Sequence, residues 1–318
     1  EVFDVLQDEY DAKILRTRQM IGEELCERGF GRVGTISGAP TSTTIDVDNS
    51  VANRFNEGDD LMASNSESAD LLHSSGATLR VTNVAPGNTL CTLTLSGSPL
   101  ALGWGDTDIL FRPGNRQNSA TPTKVCVHGQ KGWVDPTAPL TGVLWNGVDR
   151  FTSQNNLGGF RYSASTAGDD HFSAFIKMAN RMANMTGTTP DTLMVSSADM
   201  TIMQLDRERC RMLEGLTVGT YKIGVPGFML QGQQAGPIKV VMHPKLEQGN
   251  AWIGPYENKK FAPYFFHNDA LVNIDDMDGR ELTRGATSTT LEMRCYFRGN
   301  AVFPAPGKFG VITGLPTS

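Results

Sequence analysis

The first 28 residues carry the clearest hydrophobic rhythm in the chain. Phe3, Leu6, Tyr10, Ile14, Ile21 and Leu25 recur at spacings of three, four and seven, with acids and bases on the other face. Glu9 with Lys13 and Glu24 with Arg28 are i,i+4 pairs in the favourable order. Gly29 and Gly31 supply the stop signal. A helix over residues 1 to 28 would be roughly 40 Å long. The heptad is too short and irregular for a coiled-coil arm, so a spine along one side of a domain is expected.

From Thr35 to about Pro113 the pattern switches to short alternating runs separated by turns. Thr43 to Val47, Ala77 to Val84, Thr89 to Leu95 and Asp108 to Phe111 read as strands, with turns at Pro86-Gly87-Asn88 and Ser96-Gly97. This predicts a small β-barrel or sandwich. Residues 113 to 123 read as a linker or exposed loop.

Beyond Lys124 the two periods mix. A helix is predicted from near Asp169, carrying Phe172, Phe175, Ile176, Ala179 and Met182. Thr192 to Val195 reads as a buried strand, and Ser196 or Ser197 caps a helix carrying Met200, Met203, Leu205 and Leu213. Further strands are expected at Ile238 to Met242, Ala251 to Ile253, Ala270 to Ile274, Thr289 to Phe297 and Phe309 to Ile312. Strand runs punctuated by a few helices predict an α+β chain, not a doubly wound sheet.

Composition narrows the function. Of the 318 residues 39% are hydrophobic and only 19% charged, against a usual charged share of about 25%. A surface short of charge is expected where much of it faces other protein. The net charge is -6 and no basic cluster or tail is present, which disfavours a nucleic-acid binder. No stretch of about 20 apolar residues occurs, so no membrane span is expected. Five scattered cysteines predict reduced thiols in a cytosolic setting. The chain opens on Glu1, so cleavage of a longer precursor, or a fragment, is expected.

Little in the sequence points to chemistry. No GxGxxG follows a strand, and no Walker loop, GxSxG elbow or HExxH is present. Cys126 and His128 would share one face of a strand and could begin a metal site or a thiolate pair, but partner ligands are missing. A core thiol beside an ordinary histidine is the expectation. Asp275-Asp276-Met277-Asp278-Gly279 resembles the start of a calcium loop, yet Arg280 and Thr287 fall where ligands belong. An acidic turn is the better reading. His171, His243 and His267 share no spacing and read as structural. No cofactor and no metal are expected.

The cluster Asp206, Arg207, Glu208, Arg209, Cys210, Arg211 alternates in sign on a helix. It reads either as a solvated face with local ion pairs or as an intersubunit clasp, in which Arg forks grip carboxylates across an interface. Arg outnumbers Lys, 18 to 10, which leans toward interfaces. Arg150 belongs with this interface set. Seven methionines between Met178 and Met212 read as adaptable core filling.

Several phrases after Lys124 resemble the tailed-phage major capsid protein family. They are Gln130-Lys131-Gly132-Trp133, Leu144-Trp145-Asn146-Gly147-Val148-Asp149-Arg150, Leu157-Gly158-Gly159, Thr189-Pro190-Asp191-Thr192-Leu193-Met194-Val195 and Gly236-Pro237-Ile238-Lys239-Val240-Val241, with a last strand ending near Gly310-Val311-Ile312. The order of elements covers nearly the whole chain. The resemblance implies a Hong Kong 97-type capsid fold with a long spine helix, peripheral and axial domains and an inserted β-barrel-like domain. The corresponding division is 1–34 spine helix, 35–113 inserted β-rich domain, 114–262 axial domain and 263–318 return strands.

The resemblance also implies a function. Copies would assemble into hexamers and pentamers of an icosahedral shell that encloses double-stranded DNA without reading its sequence. Scaffold, portal or decoration proteins would be further partners, and the location would be the virion, with the host cytoplasm during assembly. The family carries an N-terminal arm and an extended loop before the spine helix, and here the spine starts at Glu1. The lysine of the family's covalent cross-link is therefore not carried over. Flat contacts with many neighbours suit a chain low in charge, and an acidic balance suits a container that releases its DNA. The turns Leu246 to Asn250 and Leu216 to Gly227 are expected near the symmetry axes. Alternatives are an encapsulin-like compartment shell, a tail or baseplate component, and a cytosolic hydrolase with a Cys126/His128 site.

Overall fold

The computed structural model describes residues 2–67, 70–87, 89–120, 126–139, 144–145, 147–205, 228–232, 236–267, 273–274, 283–284, 291–292, 295–296 and 299–317. The chain is α+β, and two six-stranded sheets dominate it.

Helix α1 (Val2–Glu24) opens the chain. It stops four residues short of the predicted end, and Leu25, Cys26 and Glu27 follow in turns whose N–H groups bond back to Ile21, Glu23 and Glu24. Gly29 then takes φ +88°, a left-handed backbone that side chains rarely adopt.

The first sheet holds β1 (Arg32–Thr35), β2 (Thr44–Asp48), β3 (Asp60–Ser64), β4 (Leu79–Pro86), β5 (Leu90–Leu95) and β6 (Ile109–Phe111), in the order β1-β6-β3-β4-β5-β2 with every pair antiparallel. A bridge from Ile36 to Val47 joins the two edges, so the sheet closes into a barrel. Closure removes the exposed edges. Alternation fills the inside: Ile45 and Val47 on β2 face Cys91, Leu93 and Leu95 on β5 across an apolar interior with Leu61 and Leu110. The strands expected at Thr43, Ala77, Thr89 and Asp108 are present within two residues of their predicted bounds.

Between the sheets run the short helix α2 (Gln130–Trp133), a two-residue hairpin β7 (Leu144–Trp145) and β8 (Val148–Asp149), and then β9 (Phe160–Ser163). Residues 113–120 form a loop, but it is not a free linker. Arg116 is buried and donates from Nε to the Glu67 carbonyl at 3.0 Å, which ties the loop to the barrel.

The second sheet combines β9 with β10 (Thr192–Val195), β11 (Phe228–Gly232), β12 (Gly236–Met242), β13 (Asn250–Gly254) and β20 (Gly310–Thr313), in the order β11-β12-β10-β13-β20-β9. It is mixed, with β10/β12 and β20/β9 parallel. After α3 (Ala164–Ala167), helix α4 (His171–Thr186) lies on this sheet through Phe172, Phe175, Met178, Ala179 and Met182. Its start is set by Asp170, whose carboxylate accepts from Ser173 N–H at 2.8 Å, and its end by Gly187 in the left-handed region. Helix α5 (Ser197–Leu205) starts behind Ser196, whose Oγ accepts from Asp199 N–H at 3.1 Å. The predicted extension to Leu213 lies outside the described residues.

The remaining strands are β14 (Tyr264–His267), paired with β19 (Gly299–Val302), and the two-residue pairs of β15 (Asn273–Ile274) with β18 (Cys295–Tyr296) and β16 (Thr283–Arg284) with β17 (Leu291–Glu292). The acidic run at Asp275 lies outside the described residues. No helix among those residues is long and apolar enough to cross a membrane.

Candidate functional site: a buried ionic joint

The end of α1 does not follow its predicted solvent-facing pattern. Glu23, Glu24 and Glu27 are all buried there, between the barrel and the second sheet. A buried carboxylate requires a partner, and the partners arrive from five other segments of the chain.

Arg54 comes from the 3-10 turn Asn49–Arg54 between β2 and β3 and is fully enclosed. Its Nη1 donates to Glu27 Oε1 at 2.7 Å and to the Val33 carbonyl at 3.1 Å, and its Nη2 donates to the Lys245 carbonyl. Arg112, just after β6, donates to Glu23 Oε2 at 2.9 Å. Lys245, after β12, reaches Glu23 Oε1 at 3.1 Å and the Asn53 carbonyl at 2.8 Å. Lys131 on α2 lies 3.5 Å from Glu27 and 3.2 Å from Glu247, and Arg32 on β1 lies 2.7 Å from Glu247. Arg28 pairs with Asp135 at 2.6 Å and with Glu67 at 3.5 Å, not with Glu24, because the helix ends before it.

The same place is closed by backbone bonds. Gln130 N–H donates to the Leu25 carbonyl at 2.7 Å and Cys126 N–H to the Gly29 carbonyl at 3.1 Å, so the start of α2 and the stretch before it tie down the turns that follow α1. A Cβ on Gly129 would lie 2.3 Å from the Glu24 carbonyl oxygen, so only glycine permits this approach.

The electrostatics divide the glutamates. Burial pushes the Glu27 carboxyl up, but Lys131, Arg54 and Arg32 outweigh it and hold Glu27 well below the usual carboxylate range. Glu247 is lowered too: burial opposes this, and Lys131 and Arg32 prevail. Glu24 goes the other way. Burial first, then repulsion from Glu27, raises it to about 8, with Arg112 opposing. Its Oε1 accepts from Asn115 Nδ2 at 3.3 Å, while Oε2 has no hydrogen-bond partner among the described residues.

The residues singled out from sequence are dispersed. Cys126 and His128 sit on an irregular stretch, not a strand. The Cys126 thiol contacts the Asn115 carbonyl, and burial together with Glu24 pushes it far above its ordinary range. A thiol so held is a poor nucleophile. His171 is buried and 3.4 Å from Asp199, which supports the start of α5. His243 Nδ1 lies 3.5 Å from the Cys26 thiol, which burial pushes up to about 12. Cys26, Cys91 and Cys126 are free thiols. Arg150 is buried and donates to the Trp133 carbonyl at 2.7 Å. Asp206, Arg207, Glu208, Arg209 and Arg211 lie outside the described residues, as do Leu216 to Gly227. The Leu246–Asn250 turn is engaged within the chain, through Glu247 in the joint and Gly249 N–H on Asp199 at 3.1 Å.

No family model and no curated protein matches the chain. Among solved structures it resembles the crystal structure of a phage-related protein from Bordetella bronchiseptica RB50. That superposition covers 51% of this chain and 59% of the other, at 9% identity and a TM-score of 0.32. The chain thus spans under two thirds of that neighbour's length, and a likeness at this score decides neither fold nor function.

Proposed function

We propose that the chain is a non-enzymatic shell subunit of the tailed-phage capsid type. Its copies associate into hexamers and pentamers of an icosahedral particle around double-stranded DNA, with no sequence-specific grip on it. The observation that carries this reading is the joint. The most organised polar cluster among the described residues is paired within the chain and set between α1, the barrel and the second sheet. A buried ion network adds little net stability but specifies relative orientation. Fixed orientation is what a building block needs when small angular errors accumulate around a closed shell. The sequence phrases that resemble the capsid family point the same way. The hydrolase alternative has a half-buried, protonated thiol at Cys126 where it needs a thiolate.

Mass photometry and negative-stain microscopy of the purified chain test this. Rings or megadalton particles are expected as concentration rises. A 34.5 kDa monomer at every concentration would overturn the proposal.

A further inference from the structure

A cavity of about 280 Å³ opens beside the joint, walled by Leu25, Met194 and Phe303 and by the polar residues Cys26, Gln130, His243 and Tyr256. We propose that it is a binding site for a small molecule with one apolar ring and a single hydrogen-bond acceptor, a carbonyl or carboxylate oxygen.

Size sets the first limit. An apolar cavity of roughly 150 Å³ takes a benzene ring, so this one holds a ring with a short substituent. Its lining is mostly apolar with a few polar groups, the usual make-up of small-molecule sites. Spare donors set the second. His243 Nδ1 accepts from Lys245 N–H at 3.3 Å, so the proton of the neutral ring resides on Nε2. Burial, followed by Arg54 and Lys245, lowers this histidine and keeps it neutral. Tyr256 Oη accepts from Gln130 Nε2, which leaves its own O–H to donate. Among the described residues neither His243 Nε2–H nor Tyr256 O–H meets an acceptor. A ligand that covers these two neutral donors must bring an acceptor, because a donor that loses its water without gaining a partner is costly. The cavity also joins the turn after α1 to the second sheet, through Leu25 and Met194. A ligand there braces the two against each other and raises the unfolding temperature.

Acetophenone supplies the ring and the acceptor, and ethylbenzene has nearly the same body without the acceptor. Titration of the full chain is followed by the Met194 methyl resonance and by thermal unfolding. Acetophenone is expected to shift Met194 saturably, to raise the unfolding midpoint and to bind about five- to tenfold tighter than ethylbenzene. Tyr256→Phe is expected to narrow that ratio, and Ala301→Leu, which fills the cavity from a small lining residue, to abolish binding. Should Ala301→Leu fail to fold, Tyr256→Phe decides alone, since it removes only a hydroxyl. An unmoved Met194 at millimolar acetophenone, equal affinity for both probes, or a ratio untouched by Tyr256→Phe would each overturn the site.

Discussion

The barrel interior and the joint beside it are equally buried and are built from opposite chemistry. Inside the barrel, Ile45, Leu61, Leu93 and Leu110 exclude water with side chains that need no partner. In the joint, Glu27 and Arg54 are as dry, and each depends on the other. The difference lies in how each fails. An apolar core that loses a side chain keeps a hole whose neighbours relax in part. A charge that loses its partner stays buried and uncompensated, and nothing nearby can replace the pairing. A loss in the barrel is therefore set by the volume removed, whereas a loss in the joint is set by the charge left behind and is relieved by removing that charge as well.

The sharpest way to break that contrast is Arg54→Met. It keeps much of the volume and leaves Glu27 with Lys131 alone at 3.5 Å. A loss of about 3–5 kcal/mol is expected, read by urea denaturation, and the double variant Arg54→Met with Glu27→Leu should recover most of it. A single loss below about 1 kcal/mol, or a double variant no more stable than the single one, would mean that Glu27 does not depend on Arg54. On the apolar side, Leu93→Ala removes a fully buried side chain and should cost about 2–5 kcal/mol. It has no partner whose deletion could rescue it.

That asymmetry also explains what the sequence revealed. Strands such as Thr44–Asp48 and Leu90–Leu95 are visible because alternation is a local pattern, repeated every two residues. Thr192–Val195 and the Asp170 start of α4 are visible for the same reason: a strand run and a cap are each written in adjacent residues. Strand Asp60–Ser64 is not legible in the same way, because it follows Gly58-Asp59 and runs Leu61-Met62-Ala63 without alternation. The joint has no local signature. Glu27, Arg32, Arg54, Arg112, Lys131, Lys245 and Glu247 come from separate segments, and each alone looks like an ordinary surface charge. The faint signal was Arg54 and Arg112 standing beside apolar strand ends in a chain poor in charge. By periodicity alone Glu23, Glu24 and Glu27 belong with the charged face of a helix, and tertiary pairing reverses that.

Glu24 gives the comparison a pH axis. Its carboxyl is raised to about 8 in the fold from an ordinary 4.5, so between these values the native state binds the proton more tightly than the unfolded chain does. The stability from this group is complete below about pH 4.5 and is lost as pH rises through 8, at up to about 1.4 kcal/mol per pH unit. Glu27 and Glu247 have the opposite sign: both are lowered, so their stability is present above the ordinary carboxylate value and is lost on acidification. Glu24→Gln is expected to remove the alkaline slope while leaving the acid limb unchanged. Unfolding midpoints at pH 5, 7 and 9 decide it, and a slope that survives the substitution assigns the proton elsewhere.

The smallest expected effect tests whether burial, not charge pairing itself, is what makes the joint intolerant. Arg80 and Asp60 form an ion pair at 3.1 Å across the barrel surface, a distance like those in the joint, but both side chains stand well in solvent. Water already solvates each partner, and salt screens what attraction remains. Arg80→Ala should therefore leave the denaturation midpoint unchanged within error, at low and high salt alike. Asp170→Ala, which strips the carboxylate from the start of α4, should fall between the extremes at about 1 kcal/mol, because the Ser173 N–H it uncovers can turn to water. If Arg80→Ala instead approached the loss seen for Arg54→Met, burial would not be the cause, and the joint would be one ion pair among others.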